Sequence, residues 1–257
     1  MKYYLLLLEN EIKKIFCISM RYKFNTIFSI SFWAILMTLI SYSIAIKNPS
    51  MVFMFASSFM IWLIVNNTFI AVVDSIISES TQGTLEQLYI NSGSFYGMLL
   101  IKGLSSALLS FVQTIFSVIL GIIFIRQLNF DFLWQWLAIV PVIFISIFSL
   151  IGAGIACASL SLKYKNISSF YSLISSIFFG IVTYSAKLLD NNVIASILIP
   201  FGKANSALQF FFQSNVEISC SVLFYSFLNS VLWLIIGYLC LSYYEKKSKK
   251  NGLFSKF

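Results

Sequence analysis

FLWQWLAIVPVIFISIFSLIGAGIACASLSL, residues Phe132–Leu162, runs without one charged side chain. A helix needs about 20 mostly apolar residues to cross a hydrocarbon core about 30 Å thick, and this stretch exceeds that length. Pro141 falls inside it as a candidate kink, which neighbouring helices in a bundle tolerate. Gly152, Gly154, Ala156 and Ala158 read as positions of close helix packing.

Working outward, five further stretches meet the same criterion: Phe24–Ile46, Met51–Val73, Phe95–Ile125, Ile167–Leu189 and Ile218–Leu241. The third and fourth spans in chain order are long, so they tilt or extend beyond the membrane. The totals agree with this reading. Apolar residues make up 59% of the 257 and charged residues 10%, whereas a soluble domain carries roughly 25% charged residues. So few charges cannot hide 27 Phe, 13 Tyr and 5 Trp in a soluble core. The expected fold is all-α and polytopic, with six transmembrane helices.

The net charge of +8 does not indicate nucleic acid, because the Lys and Arg residues sit between apolar runs instead of forming a patch on a folded domain. They act as topology signals and contacts for anionic lipid. With both ends in the cytoplasm, Lys47, Arg126, Lys187 and Lys203 fall outside, and the other Lys and Arg fall inside. That bias matches an even number of spans. Glu9 and Glu11 interrupt the first Tyr/Leu run, so no cleavable signal peptide is expected. The chain has no histidine, which removes His-based acid–base chemistry and His-ligated zinc. Cys17, Cys157, Cys220 and Cys240 lie in apolar surroundings without a C-x-x-C pair and read as small hydrophobes.

Residues 1–23 are expected to form an amphipathic helix in the headgroup plane. Leu5, Leu8, Ile12, Ile15 and Tyr22 recur at helical spacing, while Asn10, Lys13, Lys14 and Arg21 gather opposite. Residues 24–244 hold the spans. Residues 245–257, with Lys246, Lys247, Lys249 and Lys250, read as a disordered basic tail on the inner leaflet.

The loop 78–92 between spans two and three carries readable local chemistry. Gly83 suits a left-handed residue that ends a helix continuing from span two. Thr84 then caps a short new helix, with Gln87 three residues on closing a capping box. Leu85 and Leu88 share one face of it, Glu86 projects elsewhere, and Asn91-Ser92-Gly93 ends it. Ser94 caps span three. A loop that only connects two helices would not need this construction.

Glu79-x-x-x-Gly83-Thr84-Leu85-Glu86-x-Leu88 resembles the E-x-x-x-G-T-L-E-x-L segment of ABC-2 type transporter permeases, the membrane subunits of ABC exporters. The resemblance covers nearly the whole chain: an amphipathic N-terminal helix, six spans, this loop after span two, and a broken external segment before span six. It implies that Glu79, Gly83, Thr84, Leu85, Glu86 and Leu88 belong to a coupling helix docked on an ATPase subunit present in two copies. Glu79 and Glu86, acidic on a basic face, are suited to pair with Arg or Lys of that partner; the plainer reading leaves both solvated. No G-x-x-x-x-G-K-[ST] phosphate loop occurs. The resemblance therefore places ATP and Mg on the separate subunit, leaves this chain without a cofactor and not itself an enzyme, and calls for a second permease copy or a homologous permease. The other partners are membrane lipids, and the location is a bacterial-type cell membrane.

Lys102 is expected to snorkel to the cytoplasmic interface. Asn66 and Asn67 in span two read either as ties between helices or as lining for a pathway. Ser172, Ser176 and Gly180 form a small-residue strip on span five, serving packing within the chain or contact with a second copy. Residues 190–217, broken at Pro200-Phe201-Gly202, resemble an external hairpin dipping into the outer leaflet, or else form an interfacial loop. Spans rich in aromatic residues and poor in charge favour an amphipathic or hydrophobic cargo: a peptide, an antibiotic or toxin, or a lipid. A permease for lipid-linked polysaccharide and a membrane sensor or structural protein without transport are the alternatives.

Overall fold

The computed structural model describes residues 2–47, 51–84, 87, 89, 94–124, 130–162, 168–184, 193–214 and 220–250. Among the described residues every regular element is helical. The helices are α1 (Lys2–Arg21), α2 (Lys23–Lys47), α3 (Met51–Gln82), α4 (Phe95–Phe124), α5 (Phe130–Ser159, closed by a 3-10 turn Leu160–Leu162), α6 (Ser168–Tyr184), α7 (Val193–Leu198), α8 (Gly202–Ser214) and α9 (Cys220–Lys250). Five are long and apolar enough to cross a membrane, over Lys23–Ile44, Phe55–Ser80, Phe95–Phe116, Ile139–Leu162 and Cys220–Ser248. The chain is a multi-pass membrane protein. α6, the expected fifth span, has 17 described residues, or about 25 Å of rise, and residues 185–189 lie outside the described set.

α3 and α5 form the centre, with 61% and 67% of their span residues buried, against 17% for α2 and 22% for α9. The outer helices expose Phe28, Ile35 and Leu39 on α2, and Phe224, Ile235 and Leu239 on α9. A protein surrounded by lipid gains nothing from hiding such side chains, so its core is chosen by fit between helices. That fit is closest between α5 and α9. A Cβ on Gly152 would sit 2.4 Å from the Trp233 carbonyl oxygen, and one on Gly237 would sit 2.6 Å from the Gly152 carbonyl oxygen. The Ser230 hydroxyl donates to the Ile145 carbonyl at 2.7 Å across the same contact. Gly154 faces α3, where Val72 leaves no slack, so both glycines do the packing work expected of them.

α1 reaches Arg21 and only Tyr22 separates it from α2. Its Tyr4 ring lies on Gly97 at the start of α4. On its exposed side Lys13 donates to Glu9 at 2.6 Å. That hydrogen bond first, and the lysine charge second, hold the Glu9 carboxyl below its ordinary range. α9 does not stop at Glu245 but continues through Lys250, with Lys247 over the Tyr243 ring at 5.6 Å. The first part of the expected disordered tail is therefore helical. Lysines are good helix formers and favour a helix C-terminus, whose partial charge is negative. Residues 251–257 lie outside the described set.

Candidate functional site

α3 outlasts its span and ends where the sequence marks it. Gly83 takes φ 72°, and the Thr84 N–H donates to the Glu79 carbonyl at 3.0 Å. That six-residue closure after a left-handed residue is the Schellman arrangement. The Thr84 hydroxyl then donates to the Glu79 carboxylate at 2.5 Å. Thr84 thus closes α3 with both its backbone N–H and its hydroxyl. Gln87 and Tyr89 are helical, and the Tyr89 ring meets Phe95 at 5.8 Å. Leu85, Glu86 and Leu88 lie outside the described residues. Ser94 caps α4 as expected: the Gly97 N–H donates to its hydroxyl oxygen at 3.2 Å.

Glu79 has a second partner, which sequence reading missed. The Lys102 ammonium lies 3.8 Å from its other carboxylate oxygen, with side-chain exposures of 14% and 23%. Lys102 turns to a carboxylate at the end of the neighbouring helix. It joins α4 to the end of α3 and, through Glu79, to the turn at Gly83–Thr84. A mostly buried cation left without its partner is costly. Glu79→Leu is accordingly expected to destabilise the protein by about 2 kcal/mol, and Lys102→Met by about 1 kcal/mol, because Glu79 keeps Thr84. Thermal unfolding in detergent micelles measures both, and equal effects would count against the pairing.

The other candidates fall into distinct places. Asn66 accepts from the Ser175 hydroxyl on α6, whereas Asn67 donates to Gln113 on α4 at 3.3 Å. Two adjacent amides on α3 therefore tie it to two different helices. One step toward Glu79, the Tyr171 hydroxyl hydrogen-bonds the half-buried Asp74 carboxylate. With Glu79 and Lys102, Asp74 is one of the ionisable residues within the apolar spans that a search for intramembrane charge would flag. Phe69 and Phe178 meet edge-on at 5.1 Å along the same seam. Ser172, Ser176 and Gly180 lie on exposed positions of α6, and nothing stands within 4 Å of a Cβ built on Gly180. The strip does not pack inside the chain at Gly180.

The broken segment is held within the bundle. α7 ends at Ile199-Pro200, Phe201 takes φ 65°, and α8 starts at Gly202, where a Cβ would lie 2.7 Å from the Ser196 carbonyl oxygen. Proline cannot continue α7, and a left-handed bulky residue persists only where its surroundings hold it. They do so here through five side-chain hydrogen bonds around the break. The Phe201 N–H donates to Ser149 at 3.0 Å and to Asn229 at 3.3 Å. Asn229 donates in turn to the carbonyls of Ile197 and Ile199, and the Trp233 indole donates to that of Leu198 at 3.1 Å. Ser149 and Asn229 lie inside the long apolar stretches Ile139–Leu162 and Cys220–Ser248, so the break is held against spanning helices and away from their ends. From α8, Gln209 donates to Ser58 at 3.4 Å and Asn205 to the Ile181 carbonyl at 3.3 Å. Residues 193–198 and 202–214 are thus helices tied to the bundle; residues 190–192 and 215–217 lie outside the described set.

No family model matches the chain, and no curated protein matches it.

Proposed function

We propose that this chain is the membrane-spanning permease subunit of an ATP-driven exporter of the ABC-2 type, moving an amphipathic or hydrophobic cargo out of the cytoplasm or inner leaflet. The observation that carries the reading is the construction around Gly83. The motif Glu79-x-x-x-Gly83-Thr84-Leu85-Glu86-x-Leu88 is built at its first half so that a push on the loop cannot be absorbed by it. Glu79 fastens the turn to the end of α3, and Lys102 fastens Glu79 to α4. A displacement applied at residues 84–89 reaches two spanning helices through three charged or hydrogen-bonded contacts.

In this reading α6 completes a sixth span, both ends lie in the cytoplasm, and α1 rests in the headgroup plane of a bacterial-type cell membrane. A separate ATPase subunit, in two copies with their ATP and Mg, docks on the 78–92 loop. A second permease, identical or homologous, completes the pathway, with the open Gly180 end of the α6 strip available to it. ATP is hydrolysed on the partner, not on this chain. The hairpin 190–217, broken at Pro200-Phe201-Gly202, closes the pathway from outside.

Affinity purification of the intact protein from its native membranes in a mild detergent tests the reading. A co-purifying polypeptide that carries a G-x-x-x-x-G-K-[ST] phosphate loop, with ATP turnover in the complex, is the expected result. Glu86→Lys is expected to lower that turnover at least about tenfold, the effect of losing roughly 1.4 kcal/mol of docking energy in a charge-assisted contact. Recovery of the chain alone, with no ATPase at any detergent strength, would overturn it.

A further inference from the structure

The half of the bundle away from Glu79 and Lys102 holds a cavity of about 300 Å³ between α2, α3 and α6. One wall is aromatic and rigid. Trp33 meets Trp62 edge-on at 5.3 Å and Phe59 at 6.2 Å; Phe59 meets Trp62 at 5.6 Å and Phe55 at 6.1 Å. Each ring is braced by another, so the wall exists before anything binds. Leu36 and Ile40 add aliphatic surface, and the hydroxyls of the lining are those of Ser175 and Ser176.

Those two hydroxyls have already donated their protons. Ser175 gives its own to Asn66, and Ser176 gives its own to the Ser172 carbonyl at 3.0 Å. Apart from these, the polar atoms of the lining are the indole N–H groups of Trp33 and Trp62, each on the edge of a ring packed against another ring, so a guest with several polar groups would leave most of them unpaired, at about 1–3 kcal/mol each. No charged residue lines the cavity, so an ionic guest gains nothing there. Hydrocarbon is what the lining accepts.

The way in is equally specific. Ile40 on α2 and Ser176 on α6 are exposed members of the lining. Beside them stand Leu39, Leu173 and Ile177, all more than half exposed. In a spanning bundle those side chains face lipid tails, so the mouth opens between α2 and α6 onto the bilayer and not onto water. At about 300 Å³ the cavity is at the small end of ligand pockets, which run from about 300 to 1,000 Å³. It takes a chain, not a whole bulky molecule.

We propose that this cavity binds one hydrocarbon chain of an amphiphile dissolved in the bilayer, admitted sideways between α2 and α6. That the amphiphile is then cargo rests on the permease reading; that its chain binds here does not.

The test uses the full chain reconstituted in phosphatidylcholine vesicles containing a trace of a long-chain fatty acid with a diazirine near its chain end. After illumination, labelled peptides are mapped by mass spectrometry. Labels on residues 33–40, 55–62 and 175–176 are expected to exceed those at the equally lipid-exposed Tyr238 and Leu239 of α9 at least fivefold. Ser176→Phe, which places a ring in the mouth, is expected to remove that excess while leaving the α9 labels unchanged. Leu36→Trp does the same from the opposite wall and serves if the first variant fails to fold. Labelling no denser in the cavity than on α9, or an excess that survives both substitutions, overturns the proposal. A chain that binds no ATPase yet shows the excess refutes the permease reading alone.

Discussion

Asn229→Asp is expected to release the break between α7 and α8 and to cost at least about 4 kcal/mol. The amide of Asn229 donates twice, to Ile197 and Ile199, and its oxygen accepts from Phe201. Aspartate keeps the acceptor but has no donor. The Ile197 carbonyl loses its partner, at about 1–3 kcal/mol, and the Ile199 carbonyl keeps only the Gly202 N–H. The residue is 2% exposed, so the new carboxylate must either ionise among carbonyl oxygens or take up a proton at further cost. Ser149→Ala makes the informative control. The Phe201 N–H retains Asn229 when Ser149 is lost, so the expected loss is about 1 kcal/mol. Amide hydrogen exchange across residues 193–201 reads the effect directly. Exchange rising sharply in Asn229→Asp and hardly in Ser149→Ala is the expected order; the reverse would show that α9 does not hold the break.

Gly152→Leu is expected to cost about 3 kcal/mol or more, at the upper end of what overpacking does. Its first new atom would collide with the Trp233 carbonyl and, at 2.7 Å, with the Leu234 nitrogen. Backbone cannot rotate aside as a side chain can, so α5 and α9 must separate along their length. Separation would also pull the Ser230 hydroxyl from Ile145. Gly180→Leu changes the same residue type to the same side chain in open space. Its effect on the isolated chain is expected to stay within about 0.5 kcal/mol. Fluorescence-detected size-exclusion chromatography after a heat step compares the two without assuming any activity. Similar melting of both variants would mean that the helix contact is not tight.

The sequence disclosed those features in which a single residue type is required by local geometry. Lipid demands uninterrupted apolar runs, and so the spans are visible. A left-handed C-terminus favours glycine, and Gly83 ends α3 on schedule; a hydroxyl before an apolar run caps α4 at Ser94. Proline and glycine at 200 and 202 announced the break. What stayed hidden depends on partners remote in the chain. Phe201 adopts the left-handed turn although glycine is its neighbour, because Ser149 and Asn229 receive its N–H. Nothing near Asn229 in sequence indicates that role, since an amide in a membrane helix looks the same whether it ties, lines or binds. Asn66 and Asn67 illustrate this: identical and adjacent, they join α3 to α6 and to α4 respectively. Lys102 escaped for a similar reason. A lysine near a span end has two outlets, interface water or a buried carboxylate, and only the placement of Glu79 decides between them.

The ties that hold the break also impose an order of assembly on the growing chain. The ribosome delivers Ile197 and Ile199 some thirty residues before Asn229. Until α9 is made, the side-chain donors to the Ile197 and Leu198 carbonyls are missing, and Ile199 has only the Gly202 N–H. The segment 193–214 therefore reaches its final packing only when α9 arrives, and a nascent chain cut short before Asn229 keeps its hairpin unsettled.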